Sequence, residues 1–276
     1  QRQMCIRDST YGLLRILNFA HGHLMMLGAY IFYFFAVEQQ LHTAESSVLT
    51  SLCVTALGAI VLGVFILPFS RGNSLLPLVT TIALGSILEA LVSMRFGVAV
   101  RALPLTDAGQ SLELGGVFIT PLQIVIILSA VAIFAVLGFV VHSTPLGRSM
   151  RALAEHPQAA QGLGISRASV LLGAFTVSML LGAYAGVLVG YETNLTPTMG
   201  SSYSLKAFAA MILGGLGNIW GTVAGAFILG LVENLSIGLD FGGYSLPAGY
   251  KDAFAYAIIL CVLLFRPQGL FGTAER

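Results

Sequence analysis

Long apolar runs separated by short polar breaks dominate the chain. Eight of them fall at about 22–37, 48–68, 75–95, 118–141, 169–191, 205–216, 218–235 and 252–265. Crossing the hydrocarbon core of a bilayer takes about 20 apolar residues, with a range of roughly 17–25. Most of the runs meet that length. Those at 205–216 and 252–265 are short and are expected to tilt, to borrow flanking residues or to stop partway. The pattern predicts an all-α polytopic membrane protein with about eight transmembrane or partly spanning helices.

One tract breaks the pattern. Thr144–Ser166, TPLGRSMRALAEHPQAAQGLGIS, is amphipathic and soluble-looking, yet it stands between two long apolar runs. Pro145 suits a first helical turn, where its missing N–H costs nothing, and Thr144 suits the N-cap. Leu146, Met150 and Leu153 share one helical face, and Arg148 and Arg151 lie together on another. Glu155-His156-Pro157 interrupts the run, and 157–163 fits a second short helix ended by Gly164. The expectation is a helix-turn-helix with an apolar strip and a basic strip, presented to something in the cytoplasm. The plainer alternative is a solvated loop with incidental helicity.

Composition agrees with the membrane reading. The 276 residues are 57% hydrophobic and 9% charged, with a mean hydropathy of +0.89. Soluble domains carry roughly 25% charged residues. The net charge of +1 gives no reason to expect nucleic acid. Cys5, Cys53 and Cys261 have neither metal nor disulfide spacing and read as inert packing residues.

Charge asymmetry sets the orientation. If every run crosses, Arg2, Arg7, Arg15, Arg71, Arg148, Arg151, Arg167, Arg266 and Arg276 fall on one side, and Arg95, Arg101, Lys206 and Lys251 on the other. The poorer side also holds most of the acids, Glu38, Glu45, Asp107, Glu113, Glu192, Asp240 and Asp252. The richer side, with 142–168 and the C-terminus, is therefore expected to be cytoplasmic. The opening Gln1–Ser9, QRQMCIRDS, is polar and basic and meets the apolar tract that follows at a sharp seam. The sharpness suggests that residues 1–10 are foreign, with a short native tail as the alternative.

Small and polar residues inside the apolar runs are the remaining clues. Gly182, Gly186 and Gly190 recur at every fourth position, as do Gly217, Gly221 and Gly225. That spacing puts small residues on one helix face, where backbones approach closely in lipid. Tight packing is the simpler reading, and sliding of smooth faces during transport the functional one. Leu213–Gly221, LGGLGNIWG, has four glycines in nine residues and reads as an interfacial turn or as part of a pathway. A charge at the bilayer centre costs about 2.5–3.5 kcal/mol on insertion scales, so such a residue faces a partner or water. Glu89 and Glu233 are the leading candidates for a pathway or subunit interface, with Asn18 and His21 behind them. Asn18 and His21 are expected to cap or turn the first helix rather than touch cargo. The His21-Gly-His23 pair lacks a neighbouring carboxylate or cysteine and is a poor metal site.

In combination, four blocks resemble the permease subunits of bacterial ABC importers for branched-chain amino acids, of the LivH type. YGLLRILNFAHGHLMMLGAY (11–30) is similar to the family's N-terminal signature, and TPLGRSMRALAEHPQAAQGLGIS to its coupling loop. SLKAFAAMILGGLGNIWGTVAGAFILGLVEN (204–234) and FRPQGLFG (265–272) are similar to its C-terminal blocks. The resemblance spans nearly the whole chain from Tyr11 onward. It implies that the transmembrane permease domain, 11–276, forms a translocation pathway with a second permease. It also implies two cytoplasmic ABC ATPase subunits, a periplasmic amino-acid-binding protein and a bacterial inner-membrane location. Carried over by position, Gly147, Arg148, Arg151, Ala152, Glu155, Gly164 and Ile165 are the implied coupling residues, with Met150 and Leu153 as apolar knobs. The family has a further apolar helix before the block at 11–30, where this chain has QRQMCIRDST, and the resemblance thus implies a truncated start.

The chain is not expected to be an enzyme. A P-loop needs G-x-x-x-x-G-K-[ST], and neither Lys206 nor Lys251 stands in that context. No cofactor or metal is expected in this chain; ATP and magnesium would sit on the partner ATPases. A sugar-type ABC permease is the near alternative and a stand-alone carrier or channel the distant one. An intramembrane enzyme is disfavoured because H-E-x-x-H and G-x-S-x-G are absent.

Overall fold

The computed structural model describes residues 19–61, 63, 75–103, 112–114, 117–215, 219–238, 240–241, 244–245, 251–266 and 269–271. Among the expectations that lie outside them are the seam at residues 1–10, Cys5, Arg15, Asn18, Arg71, Asp107, Gly217 and the middle of the 213–221 tract. The chain divides into two compact units, Gln1–Ser201 and Ser202–Arg276.

The first unit is built on helices α1 (Ala20–Tyr33, continued by one π-helical turn at Phe34–Glu38), α2 (Thr43–Val61), α3 (Leu75–Phe96), α4 (Pro121–Ser143), α5 (Pro145–Glu155), α6 (Pro157–Gly162) and α7 (Arg167–Glu192). Their cross-contacts set the relative directions. His21 faces Gly182, Met25 faces Gly186 and Ala29 faces Gly190, so α1 and α7 run parallel. Ala20 packs with Val61 and Leu84, while Leu24 packs with Val54, Met179 and Ala183. Residue numbers thus fall along α2 as they rise along α1. On α3 they rise together, because Ala20 meets Leu84 and Tyr30 stacks on Phe96 at 5.1 Å. Such close approach needs glycine at the crossings. A Cβ on Gly186 would collide with the Met25 carbonyl oxygen, and one on Gly28 would lie 2.9 Å from Ala183 Cα.

The Phe96 end of this bundle is laced by cations. Arg101 donates to Tyr33 Oη at 3.1 Å and to the Phe96 carbonyl at 2.7 Å. Its backbone pairs with Leu195 in both directions, at 3.0 and 2.7 Å. Arg95 lies over the Phe34 and Phe96 rings and pairs with Glu38 at 3.3 Å. Helix α4 is different, since it is apolar on every face and has no buried residue. A helix hydrophobic all round belongs in a membrane or a large core.

The second unit holds most of α8 (Met199–Gly214), with α9 (Ile219–Gly238) and α10 (Lys251–Phe265). Helices α8 and α9 form an antiparallel pair with backbones touching, Gly214 against Gly221 and Ala210 against Gly225. Ala209, Ala210, Leu229 and Ile259 make its core. The C-terminal block folds back on the end of α8. Leu270 N–H donates to the Leu213 carbonyl at 2.8 Å and Phe271 N–H to the Gly214 carbonyl at 3.1 Å. These bonds satisfy carbonyls that a helix end leaves without partners.

Among the described residues, Ala20–Glu38, Leu78–Phe96, Pro121–Ser143 and Arg167–Glu192 are long and apolar enough to cross a membrane, and Glu45–Val61 and Trp220–Leu235 are shorter apolar helices. The protein is thus a helical, multi-pass membrane protein. Two details depart from the sequence reading. Antiparallel hairpins occur, β1 (Leu112–Leu114) with β2 (Val117–Ile119) and β3 (Asp240–Phe241) with β4 (Tyr244–Ser245). The run read from 118 therefore opens as a strand. Its helix starts only at Pro121, because Thr120 and Gln123 form a reciprocal capping box that holds Thr120 extended. The run read from 205 begins earlier, at Met199, since its polar first turn is still helical.

Candidate functional site

Two arrangements bring chemistry-bearing residues together, a polar cluster inside the bundle and the helix pair α5–α6. The first joins His23 of α1, Glu89 of α3 and Ser201 of the first turn of α8. Ser201 Oγ donates to Glu89 Oε2 at 3.0 Å. His23 Nε2 lies 3.2 Å from Ser201 Oγ and 3.5 Å from Glu89 Oε2. The Ser201 proton goes to Glu89, so Ser201 Oγ can accept from Nε2–H, whereas the Phe19 carbonyl, 3.3 Å from Nδ1, accepts only when Nδ1 carries the proton; a neutral ring makes one of these two bonds at a time. His23 is buried, at 7% exposure. Glycines frame its ring. A Cβ on Gly85 would sit 2.6 Å from Nδ1, and one on Gly200 would sit 2.9 Å from the His23 Cα and 3.0 Å from the ring.

The cluster joins the first turns of α1 and α8 to the interior of α3. Glu89 is about 10 Å from the Phe96 end of α3 at 1.5 Å per residue. Sequence reasoning singled out Glu89 and set His23 aside. Residues 21 and 23 point to opposite sides of a helix, so the pair never shared a site. His21 turns to α7, with Nδ1 3.5 Å from Ser178 Oγ and its ring against Gly182. The expected cap at His21 is a correction, because Phe19 holds the N-cap position of α1 and no side chain caps it. Nothing in the local sequence marks Ser201 as the partner, since it lies more than a hundred residues from either of the others.

The helix pair forms as its sequence suggests. Thr144 accepts from Gly147 N–H at 3.3 Å, capping α5, while its hydroxyl donates to the Val140 carbonyl of α4 at 2.5 Å. Gly147 is buried because a Cβ there would strike the carbonyls of Val140 and Val141. Helix α6 closes at Gly164, whose φ of +87° suits glycine. Between α5, α6 and α7, Leu153, Ala160 and Val170 form a small core, lined by Met150, Ala152 and Ile165. Leu153 is 2% exposed. The expectation that Leu153 serves as an apolar knob for a partner therefore needs correction, because its side chain packs inside this core, while Met150 is half-buried at its edge. Arg151 is also engaged. Its guanidinium donates to the Val141 and His142 carbonyls at the end of α4. Arg148, Glu155 and Gly164 remain on the exposed face. Beside them stands Leu163, 84% exposed, which sequence reasoning passed over.

The other candidates are placed by the second unit and by α7. Glu233 pairs with Lys206 at 3.1 Å. Gly182, Gly186 and Gly190 lie on the contact of α7 with α1, and Gly221 and Gly225 on that of α9 with α8.

A protein family described as the permease component of branched-chain amino acid transport systems matches residues 9–263. The high-affinity branched-chain amino acid transport system permease protein BraD of Pseudomonas aeruginosa is 31% identical over 279 residues, covering 96% of this chain and 89% of that protein. LivH of Escherichia coli, described in the same words, is 32% identical over 281 residues with the same coverage, 96% and 89%. The ribose import permease protein RbsC of Haemophilus influenzae is 36% identical over 119 residues, 41% of this chain and 37% of that protein. No solved structure matches. The fold and these likenesses define a transport permease, a membrane subunit that is not itself the ATPase. The chain belongs to the family of permease components of branched-chain amino acid transport systems.

Proposed function

We propose that this chain is one of two permeases that together form the inner-membrane pathway of an ATP-driven importer for branched-chain or related amino acids. About eight helices cross or partly cross the membrane. The 142–168 segment and the C-terminus lie in the cytoplasm, and a periplasmic binding protein delivers cargo to the opposite face. Separate ATPase subunits drive the cycle by pushing on α5–α6. What carries the reading is a likeness over nearly the full chain, joined to a rigid, soluble-faced helix pair between two long apolar helices. A ligand shifts an equilibrium only through differential affinity for its states. ATP-closed ATPases must therefore grip this pair differently in the two permease conformations. The exposed candidates for that grip are Arg148, Glu155, Leu163 and Gly164. The partial likeness to a ribose permease supports a sugar importer as the second reading.

Co-purification from detergent with candidate ATPases tests coupling, using Arg148→Glu and Leu163→Asp. Arg151 is a poor probe because it braces α4. Wild type should bring the ATPases down, and each variant should lower their recovery about tenfold, the effect of losing one anchoring contact. Absence of ATPases from the wild-type preparation would exclude the importer. Transport assays with leucine- and ribose-loaded binding proteins separate the two cargo classes.

A further inference from the structure

Glu89 is held at one oxygen and open at the other. Both its partners, Ser201 Oγ and His23 Nε2, meet Oε2. Among the described residues Oε1 holds no hydrogen bond, and the side chain keeps 28% exposure. The cations at the Phe96 end of α3 are engaged elsewhere, Arg95 with Glu38 and Arg101 with Tyr33 and the Phe96 carbonyl. An ionisable group at membrane depth faces a partner or a watery path, because hydrocarbon does not solvate it. The arrangement is also rigid. His23 is wedged between Gly85 and Gly200, and it and Ser201 fix the carboxylate's rotamer. A preoriented acceptor with a free lone pair suits a charged N–H donor, for which hydrogen bonds are about twice as strong as neutral ones.

We propose that Glu89 Oε1 is the transient anchor for the α-ammonium group of the amino acid as it passes through the permease, with His23 and Ser201 as the residues that position it. The inference rests on the reading of the chain as an amino-acid permease. It assigns selectivity for a zwitterionic cargo to the membrane subunit, since a neutral sugar offers no cation to this oxygen. Binding through one oxygen keeps the anchor weak enough to release.

The test uses the whole complex in liposomes, with leucine-loaded binding protein outside and ATP inside. Glu89→Gln keeps shape and removes charge. Leucine uptake should fall about tenfold or more, while subunit co-purification and ATP hydrolysis stimulated by the binding protein stay within about twofold. Ser201→Ala should lower uptake about threefold, and Ser201→Thr but not Ser201→Val should restore it, because only the hydroxyl positions the carboxylate. Unchanged uptake by Glu89→Gln overturns the anchor and leaves the importer standing. Loss of subunits in that variant also overturns it and gives the free oxygen to a cation of the second permease. A wild-type complex that moves no leucine sinks both readings. In a chain lacking its own cysteines, Glu89→Cys should react with a charged, membrane-impermeant thiol reagent. Failure to react would place the position away from any aqueous path.

Discussion

Gly186 occupies a point where no side chain fits, with the Met25 carbonyl where a Cβ would stand. Replacing it with Ala should push α1 from α7 and destabilise the protein by about 1–3 kcal/mol, the usual cost of overpacking. Gly230 is the control, because nothing lies within 4 Å of its Cβ position. Thermal unfolding in detergent should show a lower Tm for Gly186→Ala and none of that loss for Gly230→Ala. The four-residue glycine spacing was legible in the sequence, but the helix it meets was not. The same divide runs through the polar cluster. Glu89 could be singled out because a carboxylate in an apolar run is costly. His23 and Ser201 could not be joined to it, because periodicity reports which face a residue takes and not what that face meets.

Elements were legible where caps and prolines punctuate them. Thr144-Pro145 opens α5, Ser166 opens α7, and Gly164 with its positive φ stands between α6 and α7. The start of α4 was missed by three residues, because Val117–Ile119 is as apolar as a helix yet pairs as a strand. The partition of α5 was misjudged for a related reason. Its apolar strip was visible, but a strip fits a partner protein as well as it fits α7. Arg151 was similarly ambiguous until α4 placed its terminal carbonyls beside it. Thr144→Ala should remove the α5 cap and cost about 1 kcal/mol. Faster proteolysis between α4 and α5, at unchanged cleavage elsewhere, would show it. Equal rates would mean that Arg151 and the Leu153 core hold the junction unaided.

At the scale of the whole molecule, the helix directions within the first unit are compatible with alternate crossing of the membrane. Alternate crossing requires α1, α3 and α7 to run one way and α2 the other, which is what their contacts give. The orientation assigned by charge can be tested with single cysteines in a background lacking Cys5, Cys53 and Cys261. Val98→Cys, at an exposed position, should label with an impermeant maleimide in intact cells. Ala154→Cys on α5 should label only after the membrane is opened, and the reverse pattern would invert the topology. The sequence by itself determined the membrane class, the helix pair and the kinship, because transfer of apolar residues from water and the caps of helices are local properties of the chain. Only the tertiary structure decided that Leu153 and Arg151 serve the chain's own helices, and that His23, Glu89 and Ser201 meet. Those facts depend on which helices approach, and that approach is set by backbone contact at glycines rather than by any pattern within one segment.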